Sequence, residues 1–413
     1  MQYFPGRDEQ MKKFVTLLCI AMAVFTLETA AAEGAENLVY MSTSWGAPSQ
    51  ELLDRFAAES GIRVDVTTLE QTALRDKVLS AAAGKVNPAD IIYTGIDDLG
   101  VFASAAITQP LDGMVSHELL DALYGGNFFT VKGKLFAVPL YSQMVMVDYD
   151  KAALKEAGVS AIATWDEFEE AALALKKLGK SDYPISFGIR SWSWFLIALS
   201  SGSTLFAEDF SPVFDDPEDP AYQAFSRLIE WYKKGLISPE RLTSPNPHPA
   251  FWAGQAVFHQ SWQGGLAVAN NPEKSKIAPN ADYLLLPEQH TTWSLPGGIG
   301  ISAYTTHPEA AMKFIEFMTS EAVQMSTYET HGMFPARKAT FEKLGAEGKI
   351  DGFETMQEQA QYSIALPYQT PWFSEFNTEA TKALVRAAKG EQSVKEAIEA
   401  LAQFTRDVQE EYE

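Results

Sequence analysis

The chain has 413 residues, 46% of them hydrophobic and 21% charged, with a single cysteine. That balance excludes disordered, collagen-like and disulfide-framework proteins, and the length suffices for two sizeable cores. Fifty-four acids against 32 bases leave a net charge of −22, which disfavours nucleic acid and anionic lipid as partners and says little about fold.

Met11-Lys12-Lys13 is a short basic start, Phe14 to Leu27 carries no charge, and Ala30-Ala31-Ala32 offers small residues for cleavage. This order predicts a signal peptide over 1–32; its apolar run falls short of the ~20 residues a stable bilayer anchor needs. Export follows, which in a Gram-negative cell means the periplasm. Cys19 leaves with the peptide, so disulfides, thiolate metal sites and cysteine nucleophiles are excluded from the mature chain.

Asn37 to Ser42 reads as a strand running into Ser44-Trp45-Gly46. Leu52, Leu53, Phe56 and Ala57 recur at helical spacing, with Gly61 as the left-handed stop. Ile62, Val64 and Val66 alternate as a strand, a helix spans about 72–83, and residues 89–93 form a third strand. This alternation predicts a mostly parallel α/β sheet. Three capping boxes mark later helices: Thr164 with Glu167, Thr306 with Glu309, and Ser393 with Glu396. Behind the first, Phe168, Ala171, Ala172, Leu175 and Leu178 form the expected buried stripe. Breaks are expected at 215–220, 244–249 and 287–300.

Catalytic signatures are missing. No Gly-x-Ser-x-Gly and no phosphate-cradling loop occurs, and the six histidines show no metal-ligand spacing. Asp97-Asp98 is a carboxylate pair, but adjacent helical residues point about 100° apart, and first-turn acids facing the helix dipole are the better explanation. A glycosidase assembled from distant carboxylates stays open as an alternative.

The aromatic excess is more informative. Several tryptophans stand in polar or glycine-rich company: Ser44-Trp45-Gly46, Ser191-Trp192-Ser193-Trp194, Ser261-Trp262-Gln263-Gly264, Thr292-Trp293-Ser294 and Pro371-Trp372. An indole face complements the C–H plane of a pyranose, while Asp, Glu, Gln and Asn satisfy hydroxyls without requiring ligand charge. These residues therefore point to a carbohydrate cleft. Indole boxes also hold quaternary ammonium, so a betaine or polyamine is the rival ligand.

Several strings, in order, resemble the family 1 extracellular solute-binding proteins of ABC importers, the maltose-binding-protein group. They are Gly133-Lys134-Leu135-Phe136-Ala137-Val138-Pro139 with Met146 to Lys151, Thr164-Trp165-Asp166-Glu167-Phe168, and Phe251-x-x-Gly254-Gln255-Ala256-Val257-Phe258 with Ser261-Trp262. Gly297-Gly298-x-Gly300-Ile301, Glu309-Ala310-Ala311-x-Lys313-Phe314, Pro335-Ala336-Arg337 and Gly390-x-x-Ser393-Val394-Lys395-Glu396-Ala397 follow. Asp148 departs from the pattern, standing where the family usually has Tyr.

The resemblance implies the two-lobe periplasmic binding protein fold of type II, with a cleft between the lobes and C-terminal helices. Lobe 1 would comprise 33–140 plus 296–336, and lobe 2 would comprise 141–295 plus 337–413. It further implies a non-enzymatic monomer without cofactor or metal, delivering a carbohydrate or polyol to membrane permease subunits. On this reading Ser44, Trp45, Glu70, Gln71 and Asp97 line one wall, and Trp192, Trp194, Trp262 and Gln263 the other. Tyr141, Trp293, Gly297 and Gly298 sit at the hinge, and Trp372 precedes the C-terminal helices. Trp262 stands where family members stack a sugar ring, and Asp97 is the expected hydroxyl acceptor.

Overall fold

The computed structural model describes residues 37–244 and 246–412, so the signal peptide expected over 1–32 lies outside the described residues. In chain order the strands are β1 (Asn37–Ser42), β2 (Arg63–Thr68), β3 (Ile91–Gly95), β4 (Thr130–Val131), β5 (Lys134–Leu135), β6 (Val138–Ser142) and β7 (Val145–Asp150). They continue with β8 (Ile185–Ser186), β9 (Phe258–Trp262), β10 (Ala281–Leu284), β11 (Thr292–Trp293), β12 (Gly297–Ile301), β13 (Phe334–Pro335) and β14 (Ser363–Ile364).

Two main sheets organise these strands. One runs β13-β6-β12-β3-β1-β2 and the other β10-β7-β9-β8. β1 pairs parallel with both β2 and β3, as the opening alternation predicts. Beyond β3 the expectation of a mostly parallel sheet is corrected: β12 runs antiparallel to β3 and β6, and β13 antiparallel to β6. The reason is connectivity. β12 arrives from β11, which pairs with β14 outside this sheet, rather than through a crossover helix, so nothing holds it to the parallel direction.

The chain passes between sheets on very short segments. Only Gln143 and Met144 separate β6 from β7, and only Ser294, Leu295 and Pro296 separate β11 from β12. These passages support each other, since the Leu295 amide donates to the Gln143 carbonyl at 2.7 Å.

Helices cover both sheets where the apolar spacing requires. On the helix Gln50–Ser60, Phe56 is buried against the rings of Phe314 and Phe317, and Gly61 ends it at φ +74°. The capping boxes at Thr164 and Ser393 are both formed. The box at Thr306 is not: Pro308 opens that helix one residue later, with His307 at the N-cap position. Leu178 likewise falls outside its helix as the C-cap and is exposed, beyond the stripe that Phe168, Ala171, Ala172 and Leu175 bury.

The helix Phe373–Lys389 packs against elements of both lobes. Near its start Ser374 accepts from Arg75 Nη1 at 2.9 Å, and further on Thr381 accepts from the Ser191 amide at 3.1 Å. Among the described residues no helix is long and apolar enough to cross a membrane.

Candidate functional site

A cavity of about 820 Å³ lies between the two sheets. The first wall is built from three turns at the carboxyl ends of parallel strands, where α/β sheets hold ligands. The turn after β1 carries Trp45, the turn after β2 carries Glu70 and Gln71, and the turn after β3 carries Asp97. Trp45 packs edge-on to Tyr93 and donates its indole N–H to the Tyr93 hydroxyl at 3.4 Å. Tyr93 and Tyr141 share a short hydroxyl hydrogen bond of 2.6 Å. Asp97 Oδ1 accepts from Gln71 Nε2 at 3.0 Å.

Burial raises the Asp97 carboxyl, with Arg75 opposing. Its neighbour Asp98 is buried away from the cavity with Arg75 at 3.7 Å; burial, reinforced by the charge of Asp97, pushes it up to about 8. The two carboxylates thus differ in setting: Asp97 lines the cavity and Asp98 anchors the turn behind it.

The second wall is aromatic and rich in donors. Trp262 ends β9 with 8% of its surface exposed, and its indole N–H donates to the Gly332 carbonyl at 3.2 Å. Gly264 makes that approach possible, because a Cβ there would lie 1.5 Å from the Gly332 oxygen. His248 meets Trp262 edge-on at 4.8 Å and stacks on Trp252 at 5.5 Å. Trp192, in the first turn of the helix Ser191–Ser200, carries the Arg190 guanidinium over its ring at 4.7 Å. Burial lowers Arg190 to about 10, which leaves it charged at neutral pH.

Behind this wall runs a buried polar relay. His248 Nδ1 lies 2.7 Å from His259 Nε2, and His259 Nδ1 lies 3.2 Å from Asp148 Oδ2. Burial raises Asp148, lowers His259 to about 3 and holds His248 well below its ordinary value.

Of the residues singled out from the sequence, Trp45, Glu70, Gln71, Asp97, Tyr141, Trp192 and Trp262 line this one cavity. The others lie elsewhere, and the expectation for each is corrected. Ser44 is exposed beside the turn. Trp194 is fully buried among Phe195, Phe214 and Phe225, donating to the Ala221 carbonyl at 2.8 Å; two positions along a helix is about 200°, so it cannot share a face with Trp192. Trp293 is fully buried beside Phe195. Trp372 is buried with Phe206, Phe373 and Phe376.

Gln263 turns into the protein next to Trp262, and its carbonyl accepts from the Tyr283 hydroxyl at 2.5 Å. Gly297 and Gly298 make room rather than contacts. A Cβ at 297 would strike the Tyr141 ring at 2.4 Å, and one at 298 the Phe129 ring at 2.8 Å.

Sequence reasoning passed over Tyr93, His248, Trp252 and Gln260, all of which line the cavity. His248 and Trp252 stand four apart in a helical register, a signal obscured by the alternating prolines around them. Tyr93 and Gln260 lie within strands and carry no such signal.

Two sheet-based lobes joined by short crossings, with aromatic and polar side chains facing one gap, define a two-lobe solute-binding protein with the type II periplasmic binding fold. The chain is similar to solved structures of that architecture. An ABC transporter solute-binding protein from Agrobacterium vitis with bound D-mannitol superposes with a TM-score of 0.75 at 24% identity, covering 91% of this chain and 99% of that one. Maltose-bound MalE3 of T. maritima gives 0.79 at 19% identity, covering 91% and 100%. In sequence it is 22% identical to the mannitol-binding protein of Pseudomonas aeruginosa over 96% of this chain and 97% of that protein. The multiple sugar-binding protein of Streptococcus mutans is 24% identical over 66% and 67%. Residues 51–351 match the family model for bacterial extracellular solute-binding proteins, and the chain belongs to that family.

Proposed function

We propose that this protein binds a sugar or polyol between its lobes and delivers it to the permease of an ABC importer, working outside the cytoplasmic membrane as a monomeric, non-enzymatic carrier. One observation carries the reading. Indole planes on both walls, Trp45 on one and Trp192, Trp252 and Trp262 on the other, face a cavity whose polar groups include Gln71, Asp97 and Gln260. Flat apolar rings beside side chains that accept and donate suit a ligand with C–H faces ringed by hydroxyls. The mannitol- and sugar-binding relatives support the same class.

The two lobes would turn about the crossings at Gln143 and Leu295, and about a third near Pro335. A ligand gripping both walls binds the closed form more tightly than the open one, and that difference drives closure. The closed pair then presents the permease with a surface that the open form lacks.

The cationic-solute alternative is opposed by Arg190 and Lys274, which bring positive charge into the wall. The glycosidase alternative is opposed by the placing of the cavity's carboxylates: Glu70 and Asp97 both stand on the first wall, and none among the described residues faces them from the second to flank a scissile bond. A titration of neutral sugars, polyols and betaine, read by tryptophan fluorescence and thermal shift, tests the proposal. A true ligand at 100 times its Kd stabilises by about 2.7 kcal/mol. Binding of betaine with no response to any sugar or polyol, or turnover of chromogenic glycosides, would overturn it.

A further inference from the structure

The two walls differ in polarity. Glu70 and Asp97 supply acceptors and negative charge on the first, while the second offers donors that have found no partner. Arg190 is half-buried, yet no hydrogen bond or ion pair holds its guanidinium among the described residues, and its Nε is fully shielded. Other arginines in comparable settings are matched: Arg75 lies against Asp98, and Arg241 against Glu240 and the Asn246 carbonyl.

Gln260 is 2% exposed and lines the cavity; its Oε1 accepts from Ser193 at 2.6 Å, which leaves Nε2 unpartnered. Trp252 Nε1 is likewise buried and unpartnered. Ser193, which donates to Gln260, lies in the first turn of the helix that Arg190 caps, and Arg190 and Gln260 both line the cleft.

A half-buried guanidinium with only the Trp192 ring against it, and buried donors without acceptors, leave this wall short of hydrogen-bond acceptors. An acceptor-rich anion arriving with the ligand would supply them. Building on the carbohydrate reading, we infer that the ligand is a sugar acid, whose carboxylate is taken by Arg190 and Gln260 while its hydroxyls face Asp97 and Gln71. A carboxylate fits better than a phosphate. A carboxylate meets the guanidinium fork to fork, and the acidic wall opposite would repel the second charge of a phosphate.

Matched pairs test this on the unaltered protein by calorimetry: mannonate against mannitol, gluconate against glucitol, galacturonate against galactose, and cellobionate against cellobiose, with glucose 6-phosphate as the phosphate arm. At least one acid should bind about tenfold or more tightly than its neutral partner, the range of a charge-assisted hydrogen bond. Arg190→Gln should bring the pair to within about twofold, and Arg190→Lys should recover part of the preference.

Neutral members binding as tightly as the acids, with Arg190→Gln unchanged, would overturn the sugar-acid assignment and leave the carbohydrate reading standing. Preference for the phosphate alone would overturn the carboxylate assignment. Failure of every pair would overturn both readings.

Discussion

Trp262→Ala separates a ligand-facing indole from a structural one. Trp262 closes the end of β9 and presents one ring face to the cavity, while its edge is held by the Gly332 carbonyl and by His248. Only 8% of Trp262 is exposed, roughly 20 Å² of a residue of about 250 Å², so a stacked sugar removes about 40 Å² in all from water, and at about 25 cal/mol per Å² its loss removes ~1 kcal/mol of binding. That corresponds to a roughly fivefold rise in Kd. Truncation also opens a void and leaves the Gly332 carbonyl unpaired, so stability falls by about 3–5 kcal/mol.

Trp372→Ala is the control. Trp372 is equally buried but packs wholly among phenylalanines, so the same stability loss should leave Kd within about twofold. Calorimetric titration of both folded variants, beside urea unfolding, makes the comparison. An unchanged Kd in Trp262→Ala, or an equal loss in folded Trp372→Ala, would refute the assignment of the cleft.

Asp97→Ala removes a charged hydroxyl acceptor and should weaken binding about tenfold or more in the same titration. Gly264→Ala should destabilise the fold by more than about 3 kcal/mol in urea unfolding, because its Cβ would sit 1.5 Å from the Gly332 oxygen and the backbone must move. For Asp98 the folded form binds its proton up to about pH 8, whereas an unfolded aspartate releases it near 3.8. The folded state therefore holds more protons in that window. The contribution of Asp98 to stability is full below about pH 4 and is lost as pH rises towards 8. Asp98→Asn should flatten this decline, as measured by the difference in unfolding free energy between pH 5 and pH 8.5.

How much of this was legible beforehand varies with the physics of each signal. The parallel start of the first sheet, the helices capped at Thr164 and Ser393, and the family resemblance rest on interactions within a few residues of one another, and such patterns survive in a linear string. Trp45, Gln71 and Asp97 were readable as cavity-lining residues because each follows a strand end, where an α/β sheet presents its turns to a ligand. Trp192 and Trp194 show where that legibility stops. Both stand beside serines at a helix start, and only the direction of the helix axis decides that one meets the cavity and the other enters the phenylalanine core.

The sequence alone therefore determined the elements, the family and the chemical character of the cleft, since composition and short-range spacing encode them. Tertiary structure decided which indoles face that cleft, why Gly297 and Gly298 give room to Tyr141 and Phe129, and that Arg190 stands without a counter-charge. Those are relations between side chains more than a hundred residues apart, set by how two sheets meet across short crossings, and no local pattern records them.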